Sequence, residues 1–284
     1  WANKLEDAGV HVVYGVMGFK THTKTALVVR QEPDGEITTY AHVGTGNYNV
    51  ATSTLYTDLG LLTCDRRITA EVAEVFNYLT GSSRKSDYQD LLVAPINMKQ
   101  GFLDLIKAEI EAHARTGKGL IVAKMNSLED EVITEALYAA SAAGVDVELY
   151  VRGFCCLRPG IKGLSDRIRV VSIIGRFLEH SRLFYFSKGS ENPADGEYYI
   201  GSADWMYRNL HQRVELVVPL HDTRLKEKMW DFIGVMRADN RRAWDLQEDG
   251  TYLQRRPAKQ EEERGTHDVM MARTLAREKN LGAQ

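Results

Sequence analysis

Apolar residues fall into two kinds of run along this chain. Val10-His11-Val12-Val13-Tyr14-Gly15-Val16 follows Gly9 and is β-branched and aromatic, which predicts a buried strand. Residues 25–30 and 36–43 flank Glu32-Pro33-Asp34-Gly35, a turn signal, and predict a hairpin. Residues 55–64 are mixed and admit a strand. Helical spacing marks four longer stretches. Val72, Val75, Phe76 and Leu79 place a helix over 69–79, and Phe102, Leu105, Ile106, Ile110 and His113 one over 99–114. Val132, Ile133, Leu137 and Ala140 line a third over 128–143, with Ser127 as its N-cap and Gly144 as its stop. Leu225, Met229, Trp230 and Ile233 face inward in a fourth, over 223–236. Strands are predicted at 119–124, 145–151, 167–174, 182–186, 198–200 and 213–220. The alternation of strand and helix predicts an α/β fold with mixed sheets flanked by helices.

The polar stretch 81–87 reads as a linker between a first unit, 1–90, and a second, 91–254. The charge-dense tail, 255–284, reads as a mobile or marginally helical extension without chemistry. Residues 1–8 read as the last turns of a helix. With no initiator Met, they predict a piece of a longer protein.

Bulk properties narrow the class. The 284 residues are 44% hydrophobic and 26% charged, which suits a water-soluble core. A formal net charge of −3 gives no bulk reason for a nucleic-acid partner. Cys64, Cys155 and Cys156 form neither a disulfide framework nor a zinc pattern, so a reducing cytoplasm is expected, with Cys155 and Cys156 as core thiols. No apolar run is long enough for a membrane span.

One motif changes the picture because it occurs twice. His22-Thr23-Lys24 is followed by a hairpin and then Gly44-Thr45-Gly46-Asn47. Much later, His180-Ser181-Arg182 is followed by Gly201-Ser202-Ala203-Asp204 at a separation that differs by one residue. In an extended strand, residues two apart share a face, so each histidine lies beside a fixed positive charge. That pairing suits phosphate chemistry. One histidine attacks phosphorus while the other binds phosphate or assists the proton balance. Lys24 and Arg182 neutralise phosphate oxygens, and the small-residue turns let backbone N–H groups approach an anion.

The paired elements resemble the phospholipase-D-like superfamily, which couples two His-x-Lys motifs to downstream Gly-Ser/Thr-x-Asn elements. The chain departs from it where that superfamily has an acid five residues after the lysine. Val29 and Ser187 stand there, and the second copy has Arg182 for Lys and Asp204 for Asn. The closer resemblance, over 1–252, is to bacterial polyphosphate kinases of the phospholipase-D-like type. It is carried by Ala8-Gly9-Val10-His11-Val12, His22-Thr23-Lys24, Tyr40-Ala41-His42-Val43-Gly44-Thr45-Gly46-Asn47-Tyr48-Asn49, Leu55-Tyr56-Thr57-Asp58, Val151-Arg152-Gly153, Leu178-Glu179-His180 and Ser202-Ala203-Asp204-Trp205-Met206.

That resemblance implies two phospholipase-D-like domains, the first truncated at its N-terminus. It also implies reversible transfer of the terminal phosphate of ATP to inorganic polyphosphate, through a phosphohistidine and with Mg2+. By it, His22 is the phosphorylated residue, Tyr56 binds nucleotide, and Arg152 and His180 contact ATP. Arg213 meets phosphate, and Lys24, His42 and Arg208 support the site. The family's head domain and magnesium-site arginines would lie before Trp1, so no metal ligand is expected here and the stretch alone should be weak or inactive. ATP, ADP and polyphosphate are the implied partners, with no nucleic acid, in a homo-oligomer that is cytoplasmic or peripheral at the inner membrane face.

Each residue also has a plainer reading. Tyr56 reads as a packing tyrosine, Arg152 as half of a structural ion pair, His42 as a core histidine and Arg213 as a strand-edge arginine. His11, His113 and His211 read as structural, and His221 and His267 as solvated. Two other functions remain open: a phosphodiesterase or transphosphatidylase, and a non-catalytic polyanion-binding module.

Overall fold

The computed structural model describes residues 2–82 and 87–281, the side chains at 280 and 281 apart. Trp1 and most of the linker read at 81–87 lie outside the described residues.

The first part of the chain carries α1 (Ala2–Asp7), β1 (Lys20–Thr21), β2 (Lys24–Gln31), β3 (Ile37–Gly44), α2 (Val50–Ser53), β4 (Tyr56–Thr57), β5 (Gly60–Thr63) and α3 (Arg66–Leu79). The second carries β6 (Leu92–Ala94), α4 (Met98–Thr116), β7 (Leu120–Met125), α5 (Glu131–Ala142), β8 (Asp146–Val151), β9 (Ile168–Ile173), β10 (Leu178–Glu179) and β11 (Leu183–Phe186). After these come β12 (Glu197–Gly201), α6 (Tyr207–His211), β13 (Arg213–Pro219), α7 (Thr223–Arg237), β14 (Ala243–Leu246), β15 (Tyr252–Gln254) and α8 (Thr266–Leu281).

A mixed sheet runs β1-β13-β12-β11-β7-β8-β9-β14-β15, with β6 also on β13. Its central strands are buried on both faces, so they read as continuous apolar runs. Ile121, Ala123, Phe184 and Phe186 point to α4 and α5, while Val122, Leu183 and Tyr185 point to the face covered by α3 and α7. Burying one such side chain stabilises the fold by roughly 1.5–3 kcal/mol. The predicted hairpin is the β2–β3 pair, in register from Lys24↔Gly44 to Gln31↔Ile37. No helix among the described residues is long and apolar enough to cross a membrane.

Several expectations need correction. Residues 10–16 are not a strand. They run exposed or half-buried, Tyr14 at 79%, and no strand among the described residues pairs with them; His11 is exposed too, not structural. The cap of α5 is Asp130, whose carboxylate accepts from the Ile133 N–H, rather than Ser127; Val132 then faces solvent. Cys156 is exposed, while burial pushes the Cys155 thiol up to about 12. The tail carries a helix, as one of its two readings allowed, but its start is packed rather than mobile: α8 contacts α7, and His267 is buried rather than solvated.

Candidate active site

Two short strand pairings carry the motif histidines, and in both the strand crosses to the other half of the chain. β1 adds in parallel to β13, and the His22 N–H donates to the Val214 carbonyl at 2.9 Å. The next residue, Glu215, reaches back, with both carboxylate oxygens 2.8 Å from His22 Nδ1. β10 adds in parallel to β4, and the His180 N–H donates to the Thr57 carbonyl at 3.3 Å. Again the next residue, Asp58, takes the ring, with Oδ1 2.8 Å from His180 Nδ1. Each histidine is therefore held, backbone and side chain, by an acid-bearing strand of the opposite half.

The glycine-rich turns complete the reciprocity. Thr45 Oγ1 donates to Asp58 at 2.7 Å and Ser202 Oγ to Glu215 at 2.5 Å, each pair 13 residues apart. Glu215 is fully buried and also accepts from Asn209 Nδ2 at 2.6 Å. A carboxylate only accepts, so Nδ1 of His22 carries the proton. In the neutral ring Nε2 then keeps its lone pair, on a side chain 20% exposed. The same logic gives His180 a proton on Nδ1, while Nε2 accepts from Arg182 Nη1 at 3.1 Å. Burial pushes His180 below its ordinary value, which keeps this ring neutral.

The basic residues at i+2 fold back onto their own histidines. Lys24 Nζ donates to the His22 carbonyl and Arg182 Nη1 to the His180 carbonyl at 2.8 Å. Arg182 is buried and forks onto Asp204, Nε to Oδ1 at 3.1 Å and Nη2 to Oδ2 at 3.2 Å. Burial raises the Asp204 carboxyl, but Arg182 outweighs it and holds the group well below the usual carboxylate range. Removing one member of such a buried pair costs about 3–5 kcal/mol. Arg182 also donates to the Thr45 carbonyl at 3.1 Å, which ties the two motif copies together.

Lys24 is the poised cation. Burial lowers its ammonium to about 8, with Arg182 and Arg213 adding to the fall and Glu215 and Asp204 resisting it. Arg213 Nη1 stands 3.9 Å from Glu215 Oε1, two residues away on the same strand face. Tyr56 leans on His180 with ring centroids 4.7 Å apart. Tyr56 and Arg152 share a cavity of about 360 Å³ with Ile174 and Phe177.

Not every expected residue joins. His42 meets the Tyr48 hydroxyl at 2.5 Å, on the face of β3 opposite Ala41 and Val43. It packs over Gly60, where a Cβ would lie 2.4 Å from Nε2, so any larger residue there would have to push the ring aside. Arg208 stands exposed on α6. Glu215 and Asp58 were not assigned from the sequence. The equal 13-residue offsets from Thr45 and Ser202 were the available signal.

Residues 91–266 match the family model described as polyphosphate kinase C-terminal domain 2, and residues 1–85 match polyphosphate kinase C-terminal domain 1. The chain belongs to the polyphosphate kinase family. The polyphosphate kinase of Thermosynechococcus vestitus is 59% identical over 276 residues, 97% of this chain and 37% of that protein. That of Synechocystis sp. is 56% identical over 277 residues, again 97% and 37%. The crystal structure of polyphosphate kinase from Porphyromonas gingivalis superposes with a TM-score of 0.89 at 33% identity, covering 98% of this chain and 42% of that one. The chain thus spans about a third of the length of the curated polyphosphate kinases it matches, 30% to 37%.

Proposed function

We propose that this stretch carries the phosphoryl-transfer centre of an ATP–polyphosphate phosphotransferase, with His22 as the transient phosphate carrier. The observation that supports it most is the His22–Glu215 pair. A buried carboxylate fixes the Nδ1 proton and leaves Nε2 free and partly exposed. In this reading Nε2 attacks the terminal phosphorus of ATP. The Nε2–P bond forms as the bond from phosphorus to the bridging oxygen breaks, and ADP leaves with that electron pair. A terminal oxygen of polyphosphate then takes the phosphorus, and Nε2 recovers its lone pair. Glu215 offsets the positive charge on the ring while the phosphate resides there. Lys24 and Arg213 neutralise the non-bridging oxygens, which is most of what phosphoryl transfer asks of a protein. Tyr56 and Arg152 offer the nucleotide a cavity wall and a fixed charge. The neutral His180 contributes a polar contact without adding charge.

Magnesium does not find a ready donor set here. Among the described residues no three His, Cys, Asp or Glu side chains converge to hold an ion, and Glu215 and Asp58 are engaged with the histidines.

The test uses the full-length parent and ATP labelled at its terminal phosphate. Label is expected in an acid-insoluble chain that is destroyed by an exopolyphosphatase. Cleavage of a simple phosphodiester with no transfer from ATP would replace this reading with the phosphodiesterase one. Salt-sensitive polyphosphate binding without either reaction would leave a binding module.

The Lys24 ammonium sets an alkaline limit. It is charged below about 8 and neutral above it, so kcat/KM for ATP should fall as pH rises through that value. Lys24→Arg should move that limb above pH 10, read from the pH profile of the parent and variant. Folding responds oppositely. Between about 8 and the ordinary 10.5 the unfolded chain binds this proton more tightly, so the stability this group contributes rises with pH.

A further inference from the structure

α8 reaches the site through one imidazole. Its first residue, Thr266, donates through both N–H and hydroxyl to Asp239 Oδ2 at 2.7 Å, which anchors the helix start to the turn after α7. The next residue, His267, is 3% exposed. Its Nδ1 accepts from the Phe177 N–H at 3.3 Å, so the proton sits on Nε2, which lies 2.6 Å from Glu179 Oε1. The other Glu179 oxygen lies 2.7 Å from Lys124 Nζ. Lys124 in turn donates to the Ser181 carbonyl at 2.9 Å and hydroxyl at 2.8 Å. Both neighbours of His180 in the chain are therefore held by one buried network. Burial pushes the Glu179 carboxyl up, but Lys124 and His267 outweigh it and hold the group at about 2.

The same imidazole backs the nucleotide cavity. A Cβ on Gly175 would lie 2.3 Å from Nδ1, and the Phe177 ring meets His267 edge-on at 5.6 Å. Gly175, Phe177 and Glu179 line the cavity that Tyr56 and Arg152 share. Glu179 is also the β10 residue paired with Thr57, next to Asp58.

We infer that His267 is a positioning residue for the second half of the site. By donating Nε2–H to Glu179, it holds 175–180 in place on β4, so that His180 meets Asp58 and the cavity keeps its width. It touches no substrate. The inference rests on the phosphotransfer reading for its kinetic consequence, but the cavity itself can be read by binding alone.

Two half-mimics separate donation from packing. In His267→Gln the amide nitrogen replaces Nε2–H. In His267→Asn the amide oxygen replaces Nδ1, but nothing reaches Glu179. In the full-length parent, Asn should lower kcat for polyphosphate synthesis about 10- to 100-fold. It should also weaken ADP binding by calorimetry about tenfold, with a thermal midpoint near that of Gln. Gln should stay within about threefold of the parent in both. Asn matching the parent in kcat and ADP affinity would overturn the inference, as would Gln falling as far as Asn. Should Asn fail to melt cooperatively, Gly175→Ala displaces the ring instead and should show the same two losses; parent-like behaviour there would also overturn it. A parent that binds ADP but makes no polyphosphate would end the phosphotransfer reading and leave the ADP arm decisive for His267.

Discussion

Exchange of His22 for alanine in the full-length protein is expected to abolish the covalent label from terminally labelled ATP and to lower polyphosphate synthesis by about 10⁴-fold or more. In the parent the label should be acid-labile and base-stable, as a phosphoramidate is, and should map to His22. The size follows from the geometry. His22 combines an Nε2 that carries the lone pair in the neutral ring, partial exposure and a buried carboxylate on its other nitrogen. Its counterpart His180 is buried, and its Nε2 already accepts from Arg182. The second histidine is therefore a poor substitute nucleophile. Label retained in His22→Ala, with synthesis intact, would count decisively against the assignment.

Replacing Glu215 by glutamine should cost about 10²- to 10⁴-fold in turnover while leaving His22 in place. The amide keeps the size of the carboxylate but removes the charge that stabilises the ring once it carries phosphate. It also offers a donor to neighbours that already donate. His22 Nδ1–H, Ser202 Oγ–H and Asn209 Nδ2–H all converge on Glu215, and the carboxamide oxygen alone must now serve them. The loss should appear in kcat for the first half-reaction, measured as the rate of label uptake in a single turnover. A glutamine variant that takes up label within threefold of the parent rate would sink the role given to Glu215. Asp58→Asn should be milder, because Asp58 holds His180, which the proposed mechanism gives no bond to phosphorus.

Local elements were legible because they are decided within a few residues. The turn Glu32-Pro33-Asp34-Gly35 closes the β2–β3 hairpin, and the apolar stripes of α4 and α7 face the sheet as their spacing predicts. The run 10–16 shows the limit of that reasoning. Its composition is that of a strand, yet a strand exists only where another backbone accepts its hydrogen bonds. The reading of 255–284 as a mobile or marginally helical extension without chemistry likewise followed composition. One histidine in α8 finds a buried carboxylate on Glu179, and the charge-dense approach to the helix obscured it.

The chain by itself determined that the motif is double. Two histidines, each with a basic residue two places on and a small-residue turn at near-equal distance, are a one-dimensional fact. Only the tertiary structure decided how the two copies cooperate. Glu215 is 193 residues from His22 and Asp58 is 122 from His180, and no periodicity reaches that far. Those partnerships arise because β1 and β10 each complete a parallel pairing with a strand of the other half, so that the acid after each accepting carbonyl points at the visiting ring. The physical reason is that hydrogen-bond partners in a parallel pairing are chosen by where the crossover brings the chain, and that is settled by packing the whole core.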